Sequence, residues 1–229
     1  MKLESVVPWG RSFAEYEAMF NLTREDLQKN ILGCADGPAS FNAEMTERGA
    51  QVISADPIYQ FSRAEIDQRV AEVYPKILAE TKANADDFIW QKIKSPEELG
   101  KVRMAAMARF LDDYENGITE GRYVGASLPF LPFEPKQFQL ALCSHYLFLY
   151  SDQVDETAHV KAVNELCRVA DEVRIYPLIT LGGEPSSHLD AVIKALNNYG
   201  VDARFEQTNA QFQKGATQML VLNSADSIA

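Results

Sequence analysis

Residues 30–41 read NILGCADGPASF and residues 51–56 read QVISAD, and these two segments decide the fold. Each begins with a short apolar run; the first run enters a turn of small residues, and the second ends at an acid. The residues between them are predicted to form a helix, so the region is a strand, a helix and a second strand. Asp56 follows Gly33 by 23 residues. This is close to the ~20 residues that separate the acid from the glycine turn in a βαβ nucleotide-binding unit.

In such a unit, small residues let the backbone approach the ligand and the start of the helix offers free N–H groups, while the acid accepts hydrogen bonds from ribose hydroxyls. The turn here contains Gly33, Ala35 and Gly37. Pro38 follows them, so the turn lacks the last glycine of the dinucleotide fingerprint. The alternative is an ordinary turn between a strand and a helix in an α/β protein whose ligand binds elsewhere.

Residues 32–37 (LGCADG) resemble the first motif of the class I S-adenosylmethionine-dependent methyltransferases, an acid followed by Gly-x-Gly-x-Gly. Residues 131–133 (LPF) and 138–145 (FQLALCSH) resemble a later segment of that family, Leu-Pro-Phe followed by Phe-Asp and an apolar strand. The resemblance extends from about residue 30 to residue 223, apart from an enlarged middle. It implies an α/β fold with a seven-stranded, mostly parallel, doubly wound Rossmann-like sheet whose last strand is antiparallel. It also implies a methyltransferase that uses S-adenosyl-L-methionine and releases S-adenosyl-L-homocysteine.

Three positions depart from the family pattern. Ile31 stands where the family commonly has an acid, Ala35 replaces the middle glycine, and Gln139 replaces the aspartate of the later motif. Asp36, inside the loop, is a candidate to compensate for Ile31. These departures bear on catalysis more than on the fold.

The resemblance implies cofactor contacts in several segments. The loop after the first strand and the acid after the second contribute Gly33, Cys34, Ala35, Asp36, Gly37, Asp56 and Pro57. Ser127 and Leu128 stand where the family contacts adenine, although serine brings no charge where the family has an acid. Arg11 is expected to meet the methionine carboxylate of the cofactor and Tyr16 to cover it; the alternative is a surface arginine and a packing tyrosine.

Ser144 and His145 end the fourth predicted strand, where the methyl donor and acceptor would meet, and both are predicted to line the cofactor site. His145 is the candidate catalytic residue, because an imidazole with a pKa near 6.5 can take a proton from a hydroxyl or amine acceptor. The alternative is that it only shapes the pocket. His159 and His188 are predicted to be solvated helix residues, and three histidines give no basis for a metal cluster.

The chain of 229 residues is predicted to be one domain, residues 1–229, which is large enough to bury a substantial core. Residues 1–29 are predicted to be an N-terminal helical cap, and residues 61–121 a helical insertion between the second and third strands. Within the insertion, Pro75 is predicted to kink or divide the first helix, a second helix spans 83–92, and a third starts at Ser95 and ends at 116–117.

The remaining helices are predicted at 12–21, 39–48, 158–170 and 186–198, with a short one from Thr23. The strands are predicted at 31–34, 52–55, 122–126, 138–144, 172–177, 202–207 and 217–223. Because long insertions in compact domains are usually functional, the insertion is expected to lie over the acceptor site. Its candidate lining residues are Trp90, Met104, Met107, Phe110 and Tyr114; the alternative for each is packing between helices.

Composition narrows the partners. The formal charge of −11 argues against a nucleic-acid partner, since binding phosphates relies on clustered Lys and Arg. No apolar run approaches the ~20 residues that cross a membrane, and the N-terminus lacks the apolar core of a signal peptide. Cys34, Cys143 and Cys167 have neither metal-ligand nor disulfide spacing, so they are predicted to be buried thiols in a reducing cytoplasm.

Three functions stay open from the sequence. The first is a methyltransferase acting on an unidentified acceptor, with a small molecule preferred to a protein side chain. The second is an NAD(P)-dependent oxidoreductase on a Rossmann sheet. The third is a non-catalytic S-adenosylmethionine-binding protein, which the missing acid at Ile31 keeps open.

Overall fold

The computed structural model describes residues 7–197, 200–210 and 212–224. Its strands are Ile31–Cys34 (β1), Val52–Ala55 (β2), Tyr123–Val124 (β3), Phe138–Ser144 (β4), Ala170–Tyr176 (β5), Val201–Gln207 (β6) and Gln218–Ser224 (β7). Its α-helices are Phe13–Phe20 (α1), Phe41–Glu47 (α2), Arg63–Ala83 (α3), Pro96–Thr119 (α4), Glu156–Val169 (α5) and Leu189–Asn197 (α6).

The strands form one sheet in the order β3-β2-β1-β4-β5-β7-β6. Neighbouring strands from β3 to β5 are parallel, and β7 is antiparallel to both β5 and β6. This arrangement confirms the predicted fold class, a seven-stranded, mostly parallel Rossmann-like sheet with an antiparallel last strand. The strand order reverses between β1 and β4, and such switch points are where open α/β sheets bind ligands.

Strand β1 lies in the middle of the parallel part of the sheet. It is buried along its whole length and pairs with a strand on each side. Its register runs from Ile31 opposite Val52 of β2 to Cys34 opposite Ala55. On its other side, Cys34 lies opposite Cys143 of β4. Since all three strands are parallel, their carboxyl ends meet at one edge of the sheet. The loop after β1, the acid after β2 and the residues that end β4 therefore come together.

Helices cover both faces of the sheet, as its continuous apolar strands require. On one face α5 and α6 bury Leu166 and Leu196 against the strands. On the other face α1 and α2 bury Phe20 and Met45. Helices α3 and α4 form a third cluster beside the β3 edge, centred on Phe110 and including residues just after β2.

Local signals predicted several helix ends correctly. The Ser12 N–H donates to Glu15 Oε2 (2.9 Å) at the start of α1, and the Ser62 N–H donates to Glu65 Oε2 (2.8 Å) at the start of α3. Gly49 follows α2 with a φ of +76°, in the left-handed region that favours glycine. Both capping boxes and this stop signal were readable because they depend on residues close in sequence.

Pro75 lies inside α3, which continues through it undivided. The rest of the insertion differs from its prediction in two ways. The helix predicted at 83–92 is wrong: α3 ends at Ala83, one short 3₁₀ turn follows, and the next α-helix begins at Pro96. Phe88 and Trp90 instead pack against Phe212, a partner far away in the sequence.

Other predicted bounds shift by smaller amounts. Helix α4 continues past the predicted end to Thr119, and only two residues of the predicted third strand pair as β3. Residues 23–28 form a 3₁₀ turn, Asp26–Gln28, rather than an α-helix. The predicted end of the last helix, Asn198, lies outside the described residues.

A buried ion pair ties the segment after α1 to the sheet, and it generates a stability prediction. Asp26 accepts from Arg174 Nη2 (3.0 Å) and Nη1 (3.1 Å), and both residues are buried. We expect Asp26→Ala to lower the free energy of unfolding by about 1.5–3 kcal/mol, because Arg174 loses its charged acceptor at Asp26 and keeps only the one at Glu172. Urea denaturation measures this.

The matched control is Glu206→Ala, which removes the acid of the exposed Arg204–Glu206 pair. Exposed pairs contribute at most about 1 kcal/mol, so the control should lose little. Equal losses in the two variants would show that the Asp26 pair does not anchor this segment.

Candidate functional site

The loop after β1 bends through two left-handed residues. Ala35 has a φ of +56° and Gly37 a φ of +54°. This conformation explains why the related motif has glycine at both positions, since a side chain in the left-handed region costs roughly 1–2 kcal/mol. Ala35 adopts the required conformation although it carries a methyl group.

Asp56, the acid after β2, holds that loop in place. Its Oδ2 accepts from the Gly37 N–H (2.9 Å) and its Oδ1 accepts from the Ile58 N–H (2.8 Å). The Tyr59 hydroxyl donates to the Gly37 carbonyl (2.7 Å), so both backbone groups of Gly37 are bound. An ionised carboxylate has about four acceptor positions, and this one is half-buried, so each oxygen can accept one more hydrogen bond from a ligand.

Asp36 turns back beneath the same loop and is buried. It accepts from the Tyr16 hydroxyl (2.7 Å) and from the Ser54 hydroxyl (2.7 Å). A Cβ atom at Gly33 would lie 1.8 Å from Asp36 Oδ2, so glycine at that position makes room for the carboxylate. Gly33 thus supports the loop indirectly: it lies within β1, beneath the loop, and its missing side chain leaves space for Asp36.

The two carboxyl groups have raised pKa values. Burial raises the pKa of Asp36 to about 7, and the nearby Asp56 charge adds to the effect, against the hydrogen bonds from Tyr16 and Ser54. Burial raises the pKa of Asp56 to about 6, against its two backbone N–H donors. Near neutral pH the Asp36 side chain is therefore divided between its protonated and ionised forms, and Asp56 is mostly ionised.

His145 follows β4 in a left-handed conformation, with a φ of +52°. Its N–H donates to the Tyr176 carbonyl (2.7 Å), and its Nδ1 hydrogen-bonds to Ser144 Oγ (2.9 Å). Burial, together with the positive charges of Arg11 and Arg103, holds its pKa well below the usual value. The imidazole is therefore neutral at physiological pH.

One cavity of about 710 Å³ joins these features. Of the predicted cofactor residues, Gly33 does not line it, and those that do are Arg11, Tyr16, Cys34, Ala35, Asp36, Gly37, Asp56, Pro57, Ser127, Leu128, Ser144 and His145. Its volume lies within the ~300–1,000 Å³ typical of pockets for small organic ligands. The structure thus brings residues from five separate segments of the chain to one space.

The insertion contributes to this cavity, although through other residues than predicted. Met107, Phe110 and Tyr114 are buried in the α3–α4 cluster, where Phe110 packs against Tyr59 and Tyr123 (ring centroids 5.9 and 5.3 Å apart). Met104 packs at the edge of that cluster, and Trp90 packs on Phe88 and Phe212; none of the five lines the cavity. The insertion residues that do are Arg69, Ile77, Thr81, Phe88, Ile89, Lys92, Ile93, Leu99, Val102 and Arg103.

Arg103 is a site residue that the sequence analysis missed. It is only 2% exposed, lines the cavity from α4, and its Nη1 donates to both oxygens of Glu15 on α1. Burial would raise the pKa of Glu15, but Arg103 and the nearby Arg11 lower it, so Glu15 is ionised. Burial and the charge of Arg103 lower the pKa of Arg11 to about 10. The available signal was an arginine within the apolar stripe of a helix.

The remaining histidines are not solvated in the way the sequence suggested. His159 is fully buried, with its ring 5.3 Å from that of Phe148 and 4.7 Å from that of His188. His188 is half-buried and its Nε2 hydrogen-bonds to the Ser151 carbonyl (3.1 Å). The prediction for His159 was wrong because its side chain faces the packed side of α5.

The described part of the chain contains neither a candidate metal cluster nor a candidate membrane-spanning helix. Among residues 7–197, 200–210 and 212–224, no group of three or more His, Cys, Asp or Glu side chains is placed to hold a metal ion. Within the same residues, none of the helices combines the length and apolar character needed to span a membrane.

Comparison with known proteins places the fold. No protein-family model matches the chain. The uncharacterized protein MJ0045 of Methanocaldococcus jannaschii is 31% identical over 223 residues, which cover 97% of this chain and 98% of that protein. Among solved structures, the magnesium protoporphyrin IX methyltransferase (ChlM) from Synechocystis PCC 6803 with bound SAH has a TM-score of 0.50 at 13% identity, over 93% of this chain and 82% of that one. At this identity the similarity shows a shared fold.

The raised pKa of Asp36 makes stability depend on pH. A carboxyl group of the unfolded chain titrates near pH 4, so between about pH 4 and 7 the folded state binds a proton that the unfolded state has lost. Folding stability from this group is therefore lost as the pH rises through that window. In Asp36→Asn this loss is removed, so the free energy of unfolding of the variant minus that of the wild type should rise by about 2 kcal/mol between about pH 5.5 and 8.

Urea denaturation at the two pH values, without added ligand, measures this difference. Asp112→Asn is the control, because Asp112 is 80% exposed. Its difference from the wild type should stay constant with pH. A constant difference for Asp36→Asn as well would mean that the Asp36 carboxyl titrates normally.

Proposed function

The chain belongs to the same protein family as MJ0045 of Methanocaldococcus jannaschii and has the fold of the class I S-adenosylmethionine-dependent methyltransferases, and on this premise we propose that it methylates a small-molecule acceptor with S-adenosyl-L-methionine. The junction between the Gly37 backbone and the Asp56 carboxylate carries the proposal. Through this hydrogen bond a loop of small residues and an acid suited to ribose hydroxyls lie together at one cavity, which supports the proposal.

The residues present fit this cofactor. Nothing lies within 4 Å of the position that a Cβ atom would take at Gly37, so the loop leaves open space above its backbone. Asp56 keeps free acceptor positions for the two ribose hydroxyls. Ile58 and Leu128 supply apolar walls of the cavity for a purine ring. The Synechocystis enzyme with the same fold was crystallised with SAH, which agrees with this choice.

We assign the two ends of the cofactor as follows. Asp56 and Pro57 would hold the ribose, and Ser127 and Leu128 the adenine. The loop from Cys34 to Gly37 would lie along the amino-acid part, with Tyr16 beside it. Arg11 lines the same cavity from the N-terminal segment and is charged at neutral pH, so it is suited to the methionine carboxylate.

The bound cofactor supplies an activated methyl group on a sulfonium, and the transfer is an in-line displacement. The protein's part is to align the acceptor and exclude water. The insertion, through side chains such as Ile77, Leu99 and Val102, gives the cavity an apolar wall that does both. We propose that neutral His145 receives the proton of a hydroxyl or amine acceptor, and that Ser144 orients its ring through Nδ1.

A small-molecule acceptor agrees with the shape and charge of the chain. The cavity is bounded on one side by the sheet edge and on the other by α3, α4 and the segment between them. The net charge of −11 disfavours nucleic acid. The three cysteines are buried thiols, which supports a cytoplasmic location as part of the proposal.

The two alternatives receive less support. A nicotinamide-dependent oxidoreductase of the Rossmann type has the parallel strand order 3-2-1-4-5-6, whereas here an antiparallel β7 lies between β5 and β6. A non-catalytic cofactor-binding protein remains the second candidate, because Ile31 replaces the usual acid. Turnover of an acceptor separates it from the enzyme.

Calorimetry with purified protein tests the cofactor. We expect S-adenosyl-L-methionine and S-adenosyl-L-homocysteine to bind at one site per chain, and NADH not to bind. Heat with NADH and none with either adenosyl compound would transfer the proposal to the oxidoreductase.

Asp56→Ala tests the carrying observation. We expect the affinity for S-adenosyl-L-homocysteine to fall by about 1–3 kcal/mol, because the ribose hydroxyls lose a charged acceptor. Since Asp56 also holds Gly37 and Ile58, an analogue of the ligand without the ribose 2′-hydroxyl isolates the contact. The analogue should bind more weakly than the parent ligand to the wild type and about equally to the variant.

Asp112→Ala, at an exposed position of α4, is the control and should bind both ligands as the wild type does. If Asp56→Ala leaves the affinity for the parent ligand unchanged, the ribose acid is assigned to the wrong residue.

A further inference from the structure

The cavity differs in charge from the protein as a whole. The chain has 22 basic and 33 acidic residues. Among the described residues, by contrast, basic side chains outnumber acidic ones around the cavity. The basic residues are Arg11, Arg69, Lys92 and Arg103, and the acidic residues are Glu15, Asp36 and Asp56. Arg69 is exposed and pairs with Glu72, so the charge that bears most on a ligand comes from the more buried cations of the cavity.

Arg103 is the most deeply buried of these cations. Its Nη1 is bound to Glu15, but its buried Nε has no hydrogen-bond acceptor in the described part of the chain. Buried polar groups normally find partners, and a guanidinium presents five N–H donors in a planar fork. Arg103 thus has donor capacity that the protein itself does not use.

Glu15 does not neutralise the cluster to which it belongs. Arg11 lies near enough to Arg103 and Glu15 for the charges of both to affect its pKa. Two guanidiniums and one carboxylate leave a net charge of about +1 in a cavity with mostly apolar walls, and an uncompensated charge in such surroundings is costly. Asp36 and Asp56 line the same cavity, but their oxygens accept from the Tyr16 and Ser54 hydroxyls and from two backbone N–H groups rather than from Arg103. An anionic ligand beside Arg103 would balance the charge there.

The proposed cofactor does not supply it. The amino-acid end of S-adenosyl-L-methionine carries a carboxylate and an ammonium group, which cancel, and its sulfonium adds a positive charge. With the methionine carboxylate on Arg11, the positive charge around Arg103 and the sulfonium remains. The second substrate is therefore the remaining source of an anion.

The surroundings of Arg103 indicate the rest of that substrate. Leu99 and Val102 lie four residues and one residue before Arg103 on α4, and both line the cavity. Phe88 and Ile89, from the segment before α4, line it as well. Arg103 also lies close enough to His145 to lower its pKa, so the anion site and the proposed proton acceptor are neighbours.

We infer that the methyl acceptor is a small, mostly apolar molecule with a carboxylate, and that Arg103 binds this carboxylate. The inference rests on the proposed function and specifies its acceptor. A monoanion balances the single net positive charge, whereas a phosphate monoester would bring about −1.5 to −2 charges at neutral pH. The planar guanidinium fork also matches a carboxylate in geometry.

Matched probes test this with the cofactor site filled. Protein saturated with S-adenosyl-L-homocysteine is titrated by calorimetry with three aromatic acids, benzoate, 2-naphthoate and indole-3-acetate, and with their neutral carboxamides. We expect at least one acid to bind about 10-fold or more tightly than its amide, because the amide cannot balance the charge at Arg103.

Three variants locate the effect. Arg103→Met keeps an unbranched apolar stem and should bring the acid-to-amide ratio close to one. Arg103→Met combined with Glu15→Gln removes both charges of the pair. This double variant should also bring the acid-to-amide ratio close to one, and it provides the test if the single variant folds poorly. Arg109→Met is the matched control, because Arg109 is on the same helix and pairs with Glu47 at the surface; it should keep the wild-type ratio.

Each other outcome overturns the inference. If no acid binds, or acids and amides bind equally to the wild type, the cavity does not select an anion. If the Arg103 variants keep the preference, the anion lies elsewhere. If the Arg103 variants instead bind S-adenosyl-L-homocysteine about 10-fold more weakly, Arg103 binds the cofactor and not the acceptor. If the wild type binds 2-naphthyl phosphate more tightly than 2-naphthoate, the acceptor's anionic group is not a carboxylate.

The cofactor result separates this inference from the proposed function. Wild-type protein that binds S-adenosyl-L-homocysteine but shows no preference for acids contradicts only the acceptor assignment. Wild-type protein that does not bind S-adenosyl-L-homocysteine contradicts the methyltransferase proposal and the acceptor assignment together.

Discussion

Two carboxylates, buried Asp36 and half-buried Asp56, hold the loop after β1, and the shape of the candidate site depends on them. Asp56 binds the loop from its side through the Gly37 N–H, and Asp36 lies beneath it between the hydroxyls of Tyr16 and Ser54. These hydrogen bonds, all made within the protein, hold the loop in its left-handed turns. Burial raises the pKa of both acids, and the Asp56 charge raises that of Asp36 further, so both groups lower the stability of the fold near neutral pH while they hold the loop.

The N-terminal segment connects this loop to the insertion. Gly10 approaches it so closely that a Cβ atom there would lie 1.9 Å from the Pro38 carbonyl oxygen. One residue on, the Arg11 carbonyl accepts from the Ser40 N–H (3.0 Å), and Glu15 reaches across to Arg103 on α4. Three parts of the chain that are distant in sequence thus meet around one cavity.

The features that could be predicted from the sequence are those set by local residue patterns and by the pairing of parallel strands. The bounds of β1, β2 and β4 were right, because continuous apolar runs ended by small or polar residues specify buried parallel strands. The acid at Asp56 was placed beside the loop because parallel strands end at one edge. The cavity walls of the insertion were not predictable in the same way: Phe110 and Tyr114 follow a helical period, but which neighbour that face packs against is decided by tertiary contacts with Tyr59 and Tyr123. The role of Arg103 could not be predicted from the sequence either. A cation in the apolar stripe of a helix can be interpreted only when its partner, Glu15, is known to face it.

The same two guanidiniums explain two properties of the site that otherwise look unrelated. In the proposal, positive charge from Arg11 and Arg103 favours an anion in the cavity. Burial is the main cause of the low pKa of His145, and the same positive charge lowers it further. An imidazole kept neutral can receive a proton, whereas an imidazolium cannot, and a neutral ring also avoids repelling a sulfonium nearby. A carboxylate bound at Arg103 would relieve part of this suppression and make His145 more basic at the moment when the acceptor is in place. Acceptor binding and proton acceptance would then be coupled through charge alone, without movement of the backbone.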